Sequence, residues 1–385
     1  MLALLTRWPG DASSRPSAQR RGAARTGCVD ADAQHAEGFR RSLVAMSDTA
    51  SDPSARVDPT PAPTVGRTPA RVVALVLRAL VGVALLGAPA WVAATAGSVV
   101  VHQHASLGAL LVSSAAAGVC VLVRVAVLAR RSPASRRTRS RRALVATGAV
   151  LGYLLLAVLA VAGAWLRPFT ATDATLAALR SDAAVDVREA PGWYAFVPQG
   201  AEPTTGLVYS PGARVDVRAT AAVLRPLAEQ GYLVVALKEP LGIALTSPAQ
   251  SGAAIAAFPD VERWAVGGHS LGGVAAASFA AAHDDEVGGL LLHASYPLGD
   301  MSDADLVVAS VSGSRDGLTT PADVDASRAH LPAGTTFTQV DGASHASFAD
   351  YGVQPGDGEP TVPRAQAQAA IVRASLDLLG AVDRG

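Results

Sequence analysis

The chain has 385 residues, half of them hydrophobic and only 17% charged, with a mean hydropathy of +0.29, an apolar excess that a soluble globule of ordinary make-up does not carry. Its zero net charge hides a split: up to Arg167 there are 20 Arg against 7 acidic residues, and from Pro168 onward 12 basic against 25 acidic, so the two parts carry about +13 and −13. The basic excess lies in tails and short loops, not on a foldable face, which argues against nucleic acid as a partner; both cysteines, Cys28 and Cys120, precede the acidic part, which excludes a disulfide or a Cys-ligated metal there.

Residues 1–70 are rich in Arg, Ser, Pro, Asp and Ala without apolar periodicity, a composition that predicts a disordered tail. The opening Met1-Leu2-Ala3-Leu4-Leu5 is too short for a signal-peptide core, and Met46 offers a second, cleaner start. Three apolar runs follow, over 72–96, 107–129 and 143–166, each longer than the roughly 20 residues that cross a hydrocarbon core. They predict a three-pass membrane region spanning 71–167. Orientation follows from the loops. The segment 98–106 between the first two runs has no Lys or Arg, whereas the loop 130–142 holds Arg130, Arg131, Arg136, Arg137, Arg139, Arg141 and Arg142. This predicts a multi-pass protein of the cell membrane with a cytoplasmic N-terminus, a cytoplasmic Arg-rich loop touching anionic lipid, and an extracytoplasmic domain after Arg167. Arg78 and Arg124 then fall on the cytoplasmic side, where their stems can snorkel. His102 and His104 lack the carboxylate or Cys company that a metal site needs.

From 186 to 385 short apolar runs alternate with helical stretches, the pattern of a mostly parallel sheet flanked by helices. Strands are expected at 193–197, 206–209, 232–237, 264–267, 289–293, 306–310 and 335–340, and helices at 218–230, 271–283, 321–330 and 364–379. Between the fourth strand and the second helix stands Gly267-Gly268-His269-Ser270-Leu271-Gly272-Gly273, a G-x-S-x-G turn in strand-turn-helix context. Gly268 and Gly272 leave room for a turn too tight for side chains, with His269 between them and the serine. Ser270 projects its hydroxyl, and the Leu271 N–H faces a developing oxyanion at the helix start.

A serine hydroxyl needs a base, and an acid to orient that base. Asp316, in Gly313-Ser314-Arg315-Asp316-Gly317, follows the strand at 306–310, and His345 follows the strand at 335–340, giving the chain order Ser, Asp, His. Asp303, Asp305 and Asp341 compete as the acid; the first two precede their strand, and Asp341 lies too near His345 to use a separate loop. The second oxyanion donor is expected from Gly212 or Ala213, in the turn after the strand at 206–209. The small-residue stretch 250–258 is a candidate lining for the acyl side of a pocket.

Over 193–379 the chain resembles the α/β-hydrolase superfamily, and within it a branch of small prokaryotic hydrolases, many of them membrane-attached. Four segments carry the resemblance: Tyr209-Ser210-Pro211-Gly212-Ala213-Arg214-Val215-Asp216, the serine turn, Gly313 to Gly317, and the string from His345-Ala346-Ser347-Phe348-Ala349-Asp350-Tyr351-Gly352 through Val353-Gln354-Pro355-Gly356-Asp357-Gly358. The resemblance implies an α/β-hydrolase fold and a triad of Ser270, Asp316 and His345. Only about 45 residues separate Ser270 from Asp316, too few for a cap domain, so an open site is expected. The string from Asp350 to Gly358 either fixes the His345 loop or forms a surface turn demanded by its glycines.

The function this predicts is a membrane-anchored serine hydrolase acting on small-molecule or lipid-like esters through an acyl-enzyme, without metal or cofactor. An envelope acyltransferase using the same triad and a catalytically silent sensor or scaffold are the competing readings.

Overall fold

The computed structural model describes residues 68–131 and 139–385. The expectations for residues 1–67, Met46 among them, and for residues 132–138 of the Arg-rich loop lie outside the described residues. Three long helices come first: α1 (Pro69–His102), α2 (Ala105–Arg130) and α3 (Arg139–Trp165), each carrying a span long and apolar enough to cross a membrane. α1 and α2 are antiparallel and pack closely at glycines, where a Cβ on Gly118 would come within 2.9 Å of the Gly82 carbonyl oxygen. Ser114 Oγ donates to Leu85 O across the same contact at 3.1 Å, and Arg78 lies over the Tyr153 ring of α3.

The loop expected over 98–106 shrinks to Gln103 and His104. Residues 97–101, Gly-Ser-Val-Val-Val, contain nothing that stops a helix, so α1 bends at Ala96 (φ −148°) and continues to His102. The His104 ring then accepts from the Ser106 N–H and caps α2.

A single mixed sheet follows. Its strands are β1 (Val185–Glu189), β2 (Trp193–Pro198), β3 (Thr205–Ser210), β4 (Leu233–Leu237), β5 (Arg263–His269), β6 (Gly289–His293), β7 (Val307–Gly313) and β8 (Thr336–Val340), ordered β1-β2-β4-β3-β5-β6-β7-β8. The β1–β2 and β2–β4 pairs are antiparallel, and the remaining five are parallel. All seven expected strands are present within a few residues. β1 was not expected: three of its five residues are charged and its last two are exposed, so the alternation is limited to Val185 and Val187, too short a run to stand out.

Alternating side chains divide each strand between two layers. Leu207 and Tyr209 of β3, Leu291 of β6 and Val311 of β7 meet Leu224 and Leu227 of helix α5 (Ala221–Glu229) and Ile371 and Leu379 of α9 (Arg364–Arg384) on one face. Val208, Val266, Leu290 and Val308 meet α6 (Gln250–Ala256) and α7 (Leu271–Ala282) on the other, through Ala254, Ala276 and Phe279. The chain therefore has the α/β-hydrolase fold, a mostly parallel sheet between helical layers, preceded by three apolar helices. The short helix α4 (Asp173–Leu176) precedes the sheet; the helix expected at 218–230 opens as a 3-10 turn, Val217–Thr220, before α5, and the one expected at 321–330 is α8 (Pro321–Ser327), which closes as another 3-10 turn, Arg328–His330.

Candidate active site

β5 ends at His269, and the chain reverses into α7 through Ser270, which adopts φ 54° and ψ −124°. A serine held at positive φ costs about 1–3 kcal/mol, and such strain persists only where the surroundings over-determine it. Those surroundings are the two glycines of the turn. A Cβ on Gly272 would lie 2.0 Å from Ser210 O and 2.4 Å from Pro211 O, and one on Gly268 would meet the Gly272 backbone at 2.4 Å. The turn is further pinned by Ser270 N–H donating to His293 O at 2.9 Å and by Ser295 Oγ donating to Ser270 O at 2.7 Å.

The glycine contacts also bring the turn against the loop after β3. Gly212 lies beside His269, where a Cβ would be 2.7 Å from the ring Nδ1. Among the described residues, no protein acceptor takes the N–H of Gly212 or Ala213. Leu271 opens α7, so its N–H belongs to the unsatisfied first turn of that helix. The structure thus places the loop that carries Gly212 and Ala213 against the turn that carries Ser270 and Leu271.

Asp316 follows β7 and His345 follows β8, both at the carboxyl edge of the sheet. Asp316 Oδ2 lies 2.8 Å from His345 Nδ1, and both side chains are buried. The other carboxylate oxygen, Oδ1, accepts the N–H groups of Leu318 and Thr319 at 2.8 and 2.7 Å, which fixes the orientation of the acid. The His345 ring stands 4.5 Å, centroid to centroid, from that of His269, immediately before the serine. Asp303, Asp305 and Asp341 are all exposed. The environment of His269 is dry: burial, then the neighbouring His345 and His293, push its imidazole well below its ordinary range, so it stays neutral.

The string after His345 resolves in favour of support. Asp357 Oδ1 accepts the His345 N–H at 3.0 Å and the Gly317 N–H at 3.3 Å, while Oδ2 accepts the Ala346 N–H at 2.9 Å. One carboxylate therefore ties the histidine loop to the acid loop. Burial opposes its charge, but the N–H groups of Ala346 and His345 outweigh burial and hold its pKa below the usual carboxylate value. The close approach that this requires leaves no room at Gly358, where a Cβ would be 1.9 Å from Arg315 O. Stretch 250–258 begins with α6, from which Gln250 Nε2 donates to Gly192 O and Lys238 O, and Ala254 is buried in the core.

Sequence reasoning missed a pattern of backbone strain. Among the described residues, the four non-glycine positions with positive φ are Arg214, Leu241, Ser270 and Ala294, which follow β3, β4, β5 and β6. These are four adjacent strands, and all the strain lies at their carboxyl ends. It also missed Glu239, buried after β4, whose carboxyl is raised by burial to about 7. Among the described residues, no group of three or more His, Cys, Asp or Glu could hold a metal ion.

Residues 206–369 match the model of the alpha/beta hydrolase family. The chain is similar to three solved structures. Est1E from Butyrivibrio proteoclasticus is 12% identical, with 51% of this chain and 99% of that one covered, at a TM-score of 0.40. TT1662 from Thermus thermophilus is 17% identical, with 51% and 98% covered, at 0.38. A predicted CIB-like hydrolase from Thermoplasma acidophilum is 15% identical, with 51% and 98% covered, at 0.37. No curated protein matches the chain.

Proposed function

We propose that the chain, whose residues 206–369 match the model of the alpha/beta hydrolase family, is a membrane-anchored serine hydrolase that cleaves esters or related acyl compounds. The observation that carries this reading is the buried 2.8 Å contact between Asp316 and His345 beside a serine held at positive φ. In the reaction His345 takes the Ser270 proton as Oγ attacks the acyl carbon. The oxyanion is held by the N–H of Leu271 and of Gly212 or Ala213. Collapse breaks the carbon–oxygen bond to the alcohol, which leaves with the proton from His345. Water, deprotonated by the same imidazole, then attacks the acyl-serine; the products are a carboxylic acid and free Ser270. Asp316 holds the ring in one tautomer and offsets the charge that the ring gains.

Turnover of a short soluble ester tests the reading: Ser270→Ala should lower kcat by about 10⁶-fold, leaving only what the oxyanion donors and binding contribute. Retention of most of the activity would reject it.

A further inference from the structure

The carboxyl edge of the sheet, which carries Ser270, Asp316 and His345, is also the edge that meets the membrane helices. Gln103 Nε2 donates to Val215 O at 3.0 Å, Arg218 Nη2 to Ser98 Oγ at 3.2 Å, and the Leu241 N–H to Ser106 Oγ at 2.8 Å. Leu241 and Ile243 pack with Val92, Leu107, Leu111 and Leu166. Arg214, one residue beyond Ala213, donates to the last carbonyl of α3, that of Trp165, and stacks between the Trp165 and Phe169 rings. These contacts reach the loops after β3 and β4.

The candidate catalytic residues follow β5, β7 and β8, on the other side of β3 in the sheet order. Neighbouring strands lie roughly 5 Å apart, so β8 stands about 20 Å from β3, on the side of the edge away from the β4 loop that the helix ends touch.

The distribution of exposed apolar side chains is an independent observation. Among the described residues after Arg167, four large hydrophobic side chains are exposed. Val307 opens β7 at the amino edge. The other three, Leu245 (43% exposed), Leu298 (54%) and Val353 (90%), lie in loops after β4, β6 and β8, all at the carboxyl edge. At a headgroup boundary each gains by burial.

We propose that this edge lies against the bilayer and that the acyl donor is a fatty-acyl ester of a lipid in the leaflet the domain faces, entering from the membrane plane. The inference rests on the serine-hydrolase reading and adds the substrate class. Water remains the acceptor, so each turnover releases one fatty acid and one lyso-lipid or alcohol.

The test uses the full chain in phosphatidylcholine nanodiscs with two substrates: p-nitrophenyl butyrate in solution, and phosphatidylglycerol bearing a pyrene-labelled acyl chain. The lipid is supplied either in the enzyme's own disc or in separate discs. Confinement to one membrane raises effective concentration, so cleavage in the same disc should be at least about tenfold faster than across discs. The double variant Leu298→Asp, Val353→Asp should slow same-disc cleavage by about tenfold, and Leu298→Met, Val353→Met should keep it, because only the first drives charge against the bilayer. Equal rates in the same and separate discs, or no effect of the Asp pair, with butyrate still cleaved, would overturn the inference and leave the hydrolase reading standing. Failure to cleave either substrate would remove both.

Discussion

At the scale of single residues, the site separates a carboxylate that is buried and oriented from others that are not. Asp316 meets His345 and two backbone N–H groups, whereas Asp341 is exposed four residues from the histidine. Asp316→Asn should leave the fold intact and lower kcat by roughly 10⁴-fold, because the amide holds the wrong imidazole tautomer. Asp341→Asn should change kcat little; the reverse order in steady-state kinetics would reassign the acid. Glu239 makes a prediction about pH. Its carboxyl titrates at about 7 in the folded protein against 4.5 as the ordinary value, with burial as the leading cause and a hydrogen bond from Ser210 acting against it. Below pH 4.5 both states are protonated and no charge is buried. Between 4.5 and 7 the unfolded chain releases its proton first, so stability falls as pH rises, by a few kcal/mol at most, and levels off above about 7. Thermal midpoints across this window should decline for the native chain and decline less for Glu239→Gln.

Between elements, the decisive contact is a buried ion pair. Asp216 accepts from Arg218 Nη2 at 2.8 Å and from the Ala171 N–H at 3.1 Å, and Arg218 continues to Ser98 of α1. The pair joins the loop carrying Gly212 and Ala213, the segment after α3 and the α1–α2 hairpin. Removing one partner strands a buried charge, so Asp216→Ala should destabilise the protein by roughly 3–5 kcal/mol, seen as a lower thermal midpoint in detergent. An unchanged midpoint would show that the clamp contributes nothing. None of this was legible in the sequence, since Ser98 and Arg218 are 120 residues apart and each reads locally as a polar residue in an apolar run. What was legible had a local period or a fixed spacing: the seven strands from Trp193 onward, the Gly268–Gly272 turn, and the order of Ser270, Asp316 and His345. β1 was not, because an edge strand tolerates charge and its apolar alternation is limited to Val185 and Val187. Asp357 sat in a string whose purpose the sequence left open, since accepting N–H groups eleven and twelve residues upstream leaves no pattern in composition. The end of α1 was misplaced for a related reason: residues 97–101 bear no charge that would separate membrane from loop.

For the whole molecule, the three apolar helices and the split of charge give a direction to the account. If the short Arg-rich loop is cytoplasmic, the hydrolase domain and its site lie outside. A reporter active only in the cytoplasm should therefore be silent when fused at Gly385 and active when inserted among Arg130–Arg142. The opposite pattern would place the chemistry inside the cell and change which lipids the carboxyl edge could meet, though not the chemistry itself.

The proposed chemistry depends on one side chain. Ser270 joins the only strand and helix of the acidic part that have glycines two residues before and after a serine, and its backbone strain is matched by a histidine and an aspartate in contact at the same edge. The most direct measurement is labelling of the full chain with a fluorophosphonate, followed by mass-spectrometric mapping of the adduct. The account predicts stoichiometric modification of Ser270 and none in Ser270→Ala; full labelling of that variant, or an adduct mapped to another serine, would contradict it.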